Sequence, residues 1–236
     1  MICFRNDADI QNSYGLLRKR LIPPARDYSA ILKSKTRLVA WIVSNNVTQS
    51  RRNDYVSELQ KYIQVDIYGQ GQQFGECPRE HDDECMKNIS ANYKFYLGFE
   101  NSFCDGYISE KFYKYFNLDL IVVARGVDEY ANLVPPEVFI NTWDYDSPKQ
   151  LADKLLYLDS HDADYLAMLK VKDEYFTIYE DYMLQTKFLE TRYEAVAMCQ
   201  VCQRLWNLPK YSKTIPDINV WYNRTKIYPP SDVSKT

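Results

Sequence analysis

The chain has 236 residues, 46% of them hydrophobic, and a formal net charge of -3. The apolar fraction supports a folded core and excludes a disordered chain, and the acidic balance excludes a general nucleic-acid binder, which would be basic. No apolar run approaches the roughly 18 residues that span a bilayer.

Residues 1–35 show no clear strand and are broken by Pro23-Pro24; they are expected to be the tail of a preceding domain plus a linker. From Thr36 strand and helix patterns alternate. RLVAWIVS is a β-rich run that ends at Ser44-Asn45-Asn46. RRNDYVSELQKYI sets Tyr55, Val56, Leu59, Tyr62 and Ile63 at helical spacing. VDIYG reads as a short strand closed by Gly69, and YKFYLGFE as another. The spacing of YISEKFYKYF predicts a helix over 107–117. LDLIVVA and EVFIN are two further strands, the latter introduced by Pro135-Pro136. SPKQLADKLLYLD is a helix with Ser147 as N-cap and Pro148 at its first position. Two longer helical patterns follow, over 163–184 and 187–206, and 208–236 is a Pro-rich polar arm. The division is therefore 1–35, a domain over 36–207, and a C-terminal arm over 208–236. Alternation of this kind predicts a parallel sheet flanked by helices. Its ligands bind beyond the carboxyl ends of the strands, here Ser44-Asn45, Tyr68-Gly69, Glu100-Asn101 and Ala124-Arg125.

Charges arrive at once in MICFRNDADIQNSYG, so the N-terminus is no signal peptide and taken alone points to the cytosol. Two features point the other way. Sequons occur at Asn46, Asn88 and Asn223. Of six cysteines, Cys77, Cys85 and Cys104 cluster, Cys199 and Cys202 form a CxxC, and Cys3 stands apart. That layout suits disulfides in an oxidising lumen, with the targeting segment lying outside the sequence. The 21 tyrosines suit half-buried surfaces and sugar-stacking platforms.

Several weaker patterns are set aside. GQGQQFG is one residue too long for a dinucleotide fingerprint and is followed by Glu-Cys-Pro, so it is a turn-rich loop. Asp7-Ala-Asp9, Asp144-Tyr-Asp146 and Asp162-Ala-Asp164 are the Asp-x-Asp matches expected by chance among 32 acidic residues. Cys77, His81 and Cys85 are not spaced as a zinc knuckle, and disulfides are favoured there. HExxH, GxxxxGK[ST] and GxSxG are absent, which removes metalloprotease, P-loop and α/β-hydrolase readings.

The charges of interest are Arg51-Arg52 and Glu110-Lys111. On a helix over 107–117, Ile108, Phe112, Tyr115 and Phe116 form the buried face. By the ~100° step per residue, Lys111 lies to one side of that face and Glu110 nearly opposite. A helix start just after a strand's carboxyl end is an anion site by geometry, and Lys111 and Arg52 would add full positive charge for a phosphate.

FYLGFENSFCDGYISEKF closely resembles the signature of the α1,3/4-fucosyltransferases, glycosyltransferase family 10, commonly written FYLxFENSxxxDYxTEK. LVAWIVSNNVTQSRRNDYVSELQKYIQVDIYG and VPPEVFINTWDYDSPKQLADKLLYLD are similar to the segments on either side, CQVCQRL to the C-terminal CxxC, and FRNDADIQNSYG to a segment late in the first domain. The resemblance implies the C-terminal donor domain of an α/β, GT-B type enzyme with a Rossmann-like parallel sheet flanked by helices. It implies inverting transfer of fucose from GDP-fucose to N-acetylglucosamine of a glycan, no cofactor and no obligatory metal. It implies donor binding by Arg52, Asn101, Tyr107, Glu110 and Lys111, with Glu110 supporting the transition state. It also implies a general base and a Golgi membrane anchor upstream of Met1, with the enzyme facing the lumen. A chain without that base would bind the donor yet transfer poorly, since base loss costs roughly 10²–10⁴-fold; the alternative is thus an inactive nucleotide-sugar-binding fragment. Departures from the family pattern are Asp105-Gly106-Tyr107 for Asp-Tyr, Ser109 for Thr, and Arg125 in LIVVARG, where relatives carry a Pro-containing run.

Overall fold

The computed structural model describes residues 2–5, 7–78, 82–126, 130, 134–179 and 193–223. The segment over 1–35 is more structured than its sequence suggests. It holds three short strands, β1 (Ile2–Cys3), β2 (Ile10–Gln11) and β3 (Gly15–Lys19), and a helix, α1 (Tyr28–Ser34). Asp27 caps α1 by accepting the Ala30 N–H at 3.0 Å.

The alternating part follows as read except at α3 and EVFIN. It runs β4 (Arg37–Ile42), α2 (Arg52–Leu59), β5 (Val65–Tyr68), α3 (Asp82–Asn92), β6 (Tyr93–Phe99), α4 (Glu110–Phe116) and β7 (Ile121–Arg125). EVFIN is not a full strand: Pro136–Val138 forms a 3-10 turn, which a proline at its first position favours and which the Val138 N–H closes onto the Pro135 carbonyl at 3.2 Å, and only Ile140–Asn141 pairs as β8. Next come α5 (Pro148–Ser160), α6 (Asp162–Lys172), β9 (Tyr175–Tyr179), α7 (Tyr193–Leu205), α8 (Leu208–Tyr211) and α9 (Ile218–Asn223). Ser147 caps α5 through Gln150 N–H at 3.3 Å. The helix α3 has no counterpart in the sequence reading. The helical expectation over 163–184 fails after Lys172: Tyr175–Tyr179 is a strand, antiparallel to β3 from Gly15↔Tyr179 to Lys19↔Tyr175. The aromatic and β-branched run YFTIY finds a partner there that local sequence could not announce. Residues 180–192, within the two expected long helices, lie outside the described residues, as does 224–236 of the arm.

The main sheet has the order β5-β4-β6-β7-β8, all parallel. Alternate strand residues feed two cores, as a period of two demands. Val39, Trp41, Phe95, Leu97, Phe99, Ile121 and Val123 pack beneath α2 and α5 with Val56, Leu59, Leu151 and Leu155. Ala40, Tyr96, Val122 and Ala124 face α3 and α4 with Ile89, Phe112, Tyr115 and Phe116. The chain leaves β4 toward β5 on one side and returns to place β6 on the other. The sheet therefore reverses its winding between β4 and β6, where doubly wound sheets open a crevice for ligands.

Candidate active site

The loops beyond β4 and β6 are sewn together at that reversal. Ser50 N–H donates to the Asn101 carbonyl at 3.0 Å and its Oγ to the Glu100 carbonyl at 2.6 Å. Phe103 N–H donates to Gln49 Oε1 at 2.9 Å. Arg51 takes a left-handed φ of 49°, uncommon outside glycine, so that α2 can start directly behind the loop.

Arg52 is buried at 2% exposure. Its Nη1 donates to the Phe99 carbonyl at 2.8 Å and its Nη2 to the Asn45 carbonyl at 3.0 Å. Its Nε, also buried, has no hydrogen-bond partner among the described residues. Burial pushes this guanidinium below its ordinary pKa, while Glu100, Tyr96, Tyr107 and Glu110 act in the opposite sense. The arginine expected at the phosphate is thus seated deeper than an exposed clamp, with its Nε donor uncommitted among the described residues and Glu100 and Glu110 within its field.

On the other side stands α4, one turn shorter at its start than the sequence pattern suggests. Ser109 is its N-cap, and Glu110 its first residue. The helix lies so close on β6 that a Cβ at Gly98 would come within 3.1 Å of the Lys111 carbonyl oxygen. Lys111 Nζ donates to Ser109 Oγ at 2.9 Å and to Glu110 Oε1 at 2.9 Å. The Glu110 side chain is 45% exposed and that of Lys111 20%, so the acid faces solvent as expected and the lysine is half withdrawn.

The sequence reading missed the group behind them. Glu100 is fully buried; one oxygen accepts Ser109 N–H at 2.8 Å and the other Ser109 Oγ–H at 2.7 Å. Lys111 Nζ lies 3.6 Å from the second oxygen, and Tyr130 Oη 3.5 Å from the first. Burial raises the Glu100 pKa, and Lys111 and the two Ser109 hydrogen bonds offset part of that. The one signal for it was an acidic residue closing an otherwise apolar run.

Asn101 accepts from Ser50 with its backbone, while its side-chain Oδ1 is buried with no partner among the described residues. Tyr107 follows Gly106, whose φ of +73° turns the loop. Its ring packs at 5.2 Å from Phe4 and 5.8 Å from Tyr14, so the N-terminal segment covers it, and burial raises its pKa. Arg125 is fully buried between Tyr55, at 4.3 Å, and Phe103, at 4.8 Å. The structure therefore gathers Arg52, Asn101, Tyr107, Glu110 and Lys111 around the ends of β4 and β6.

Of the disulfide candidates, Cys77 and Cys85 are bonded, with Cα atoms 5.6 Å apart; Cys104, Cys199 and Cys202 are free thiols, as is Cys3. His81 lies outside the described residues. Asn46 and Asn88 are exposed, one in the loop after β4 and one on α3. Asn223 ends α9, and the rest of its sequon is outside the described residues. Among the described residues no group of three or more His, Cys, Asp or Glu could hold a metal ion. Five of the six Asp-x-Asp acids have other partners: Asp7 pairs with Arg5, Asp9 with Lys213, Asp146 with Gln150, Asp162 with Lys94, and Asp164 with Tyr157.

The family model "Glycosyltransferase family 10 (fucosyltransferase) C-term" matches residues 32–221. The chain belongs to this family. It is 37% identical over 194 residues to a Drosophila melanogaster glycoprotein 3-alpha-L-fucosyltransferase A, covering 80% of this chain and 35% of that protein. It is 32% identical to a Caenorhabditis elegans alpha-(1,3)-fucosyltransferase, covering 94% of this chain and 51% of the relative. It is 36% identical to a Bos taurus 3-galactosyl-N-acetylglucosaminide 4-alpha-L-fucosyltransferase, covering 93% and 55%. This family 10 chain spans between a third and just over half of the length of these relatives. A crystal structure of an alpha1,3-fucosyltransferase with GDP-fucose gives a TM-score of 0.48 at 25% identity, covering 58% of this chain and 39% of that one.

Proposed function

We propose that this chain is the donor-binding part of an inverting, GT-B type α1,3-fucosyltransferase that takes fucose from GDP-fucose and serves N-acetylglucosamine on glycoprotein glycans. Family 10 membership and the activities named for its relatives support the reading. The observation that carries it is that Arg52 on α2 and the Glu110–Lys111 pair on α4 come from two separate crossovers at the reversal between β4 and β6, with Glu100 and Glu110 within the field of Arg52.

The chemistry follows from charge. As the sugar–phosphate bond breaks, the GDP leaving group gains negative charge and the sugar ring gains positive charge. Cations fixed in advance near the diphosphate stabilise the first change selectively. Lys111 would exchange its contact with Glu110 for a phosphate oxygen, and Arg52 would hold the rear of the site positive. Glu110, released from the lysine, would accept fucose hydroxyls and favour positive charge on the ring. Asn101 and Tyr107 would complete the donor pocket. The general base is assigned to none of the described residues. In the same proposal the reaction needs no bound metal, and the protein works at the lumenal side of the Golgi membrane, where the Cys77–Cys85 bond would persist.

Calorimetry with GDP-fucose, GDP and ADP tests the binding step, and fucose transfer to a fluorescent N-glycan with and without EDTA tests the chemistry. The expected result is binding of both guanine ligands, much weaker binding of ADP, and no effect of EDTA. Absence of GDP-fucose binding would overturn the assignment. Binding without transfer would leave the chain as a nucleotide-sugar-binding protein.

A further inference from the structure

We infer that Glu100 is a positioning residue for Lys111, acting through the hydroxyl of Ser109. The inference rests on the donor site proposed above and adds to it the element that aims its lysine.

A carboxylate closing a strand buried on both faces is costly unless its lone pairs are taken up. Each Glu100 oxygen accepts from Ser109, one from its N–H at 2.8 Å and the other from its Oγ–H at 2.7 Å, and Tyr130 Oη adds a longer bond to the first at 3.5 Å. That fixes the hydroxyl proton. With its one hydrogen directed at Glu100, Ser109 Oγ presents only lone pairs to its other neighbours. Lys111 Nζ, at 2.9 Å, therefore meets an acceptor and never a competing donor. The same ammonium lies 3.6 Å from Glu100 itself, so the direct field and the relayed hydrogen bond pull it in one direction. A lysine ammonium sits on a flexible four-carbon stem and has three donors. The close approach at Gly98 settles its backbone. Ser109 and Glu110 take one donor each, leaving a third for a ligand and a second wherever a phosphate displaces the exposed Glu110.

Glu110 cannot supply this aim. It is the more exposed partner, at 45% against 0% for Glu100, and it is the group that must let go when the donor arrives. A permanent, buried carboxylate behind the lysine and an exchangeable one in front of it divide holding from releasing.

The test compares affinities for GDP and GMP in the intact chain. With Lys111 assigned to the outer phosphate, loss of its aim should reduce GDP binding more than GMP binding. In Glu100→Gln and in Ser109→Ala the preference for GDP over GMP is expected to fall about tenfold, the scale of one hydrogen bond of a charged group. The double variant should fall no further than either single one, because both break the same link. Ser109→Thr, which keeps the hydroxyl, should retain the preference. If Glu100→Gln does not fold, Ser109→Ala decides alone, since Ser109 stands between the two charges. An unchanged preference, or equal losses for GDP and GMP, would overturn the positioning role and leave Glu100 a structural group. A wild-type chain that binds neither nucleotide would instead remove the donor site, and the inference with it.

Discussion

At the amino ends of the sheet strands, buried and half-buried charges are matched. Lys172 Nζ donates to the carbonyl of Phe116 at 2.8 Å and also to that of Leu118. Arg26 joins Asp173 at 3.2 Å and Asp119, and Tyr28 Oη donates to Asp173 at 2.9 Å. At the carboxyl ends, by contrast, Arg52 Nε, Asn101 Oδ1 and Thr142 Oγ1 are buried with no partner among the described residues. Folded proteins leave few buried polar atoms unpaired, because each costs about 1–3 kcal/mol. A network that closes on itself holds the fold together. The atoms left without a partner among the described residues lie at the end of the sheet where the donor site is proposed.

Variants at the two ends should therefore fail in different ways. The largest expected effect is at the closed end. Lys172→Ala strands two carbonyls and empties a buried stem, and should lower unfolding free energy by about 3 kcal/mol in urea titration. The fraction that remains folded should bind GDP as tightly as before. A loss of GDP affinity there would break the contrast.

Lys111→Ala is the converse. It should weaken GDP binding by about 1.5–3 kcal/mol by calorimetry, the scale of a charged hydrogen bond. Its urea midpoint should fall less than that of Lys172→Ala, because its pair with Glu110 is exposed and the buried Glu100 it also faces keeps both Ser109 hydrogen bonds. Arg52→Ala sharpens the line between the ends, since its donors hold the Phe99 and Asn45 carbonyls while its charge faces the site. Both readouts should fall, each by about 1–3 kcal/mol.

The two ends also carry opposite pH signatures. Burial lowers the Lys172 pKa from its ordinary 10.5 to about 8. Between these values the unfolded chain still binds a proton that the folded one has released, so this lysine's contribution to stability rises with pH across that window and its penalty is complete below it. The stability of wild type relative to Lys172→Met should accordingly improve from pH 8 toward 10.5. Glu100 is shifted upward by burial. Its contribution is full below the ordinary carboxylate range and declines as pH rises through its folded value, a slope that Glu100→Gln should remove. The smallest effect is expected from Lys149→Ala, which opens the exposed Lys149–Asp153 pair and should change neither stability nor binding measurably.

The amino-acid sequence by itself determined most of the alternation of strands and helices over 36–172, α3 excepted, and the Ser147 cap of α5. Those features depend on neighbours a few positions away: a period of two or of 3.6, a cap, a turn. It did not determine that YFTIY becomes β9, because that run needs β3, more than 150 residues earlier, to pair with. Nor could it show that Arg52 commits two donors to carbonyls, one of them 47 residues away, or that Glu100 stands behind Lys111. Those are hydrogen bonds between loops that meet only when β4 and β6 lie side by side. Burial and the spending of donors are decided there, in three dimensions, by which carbonyls and carboxylates the sheet brings within reach.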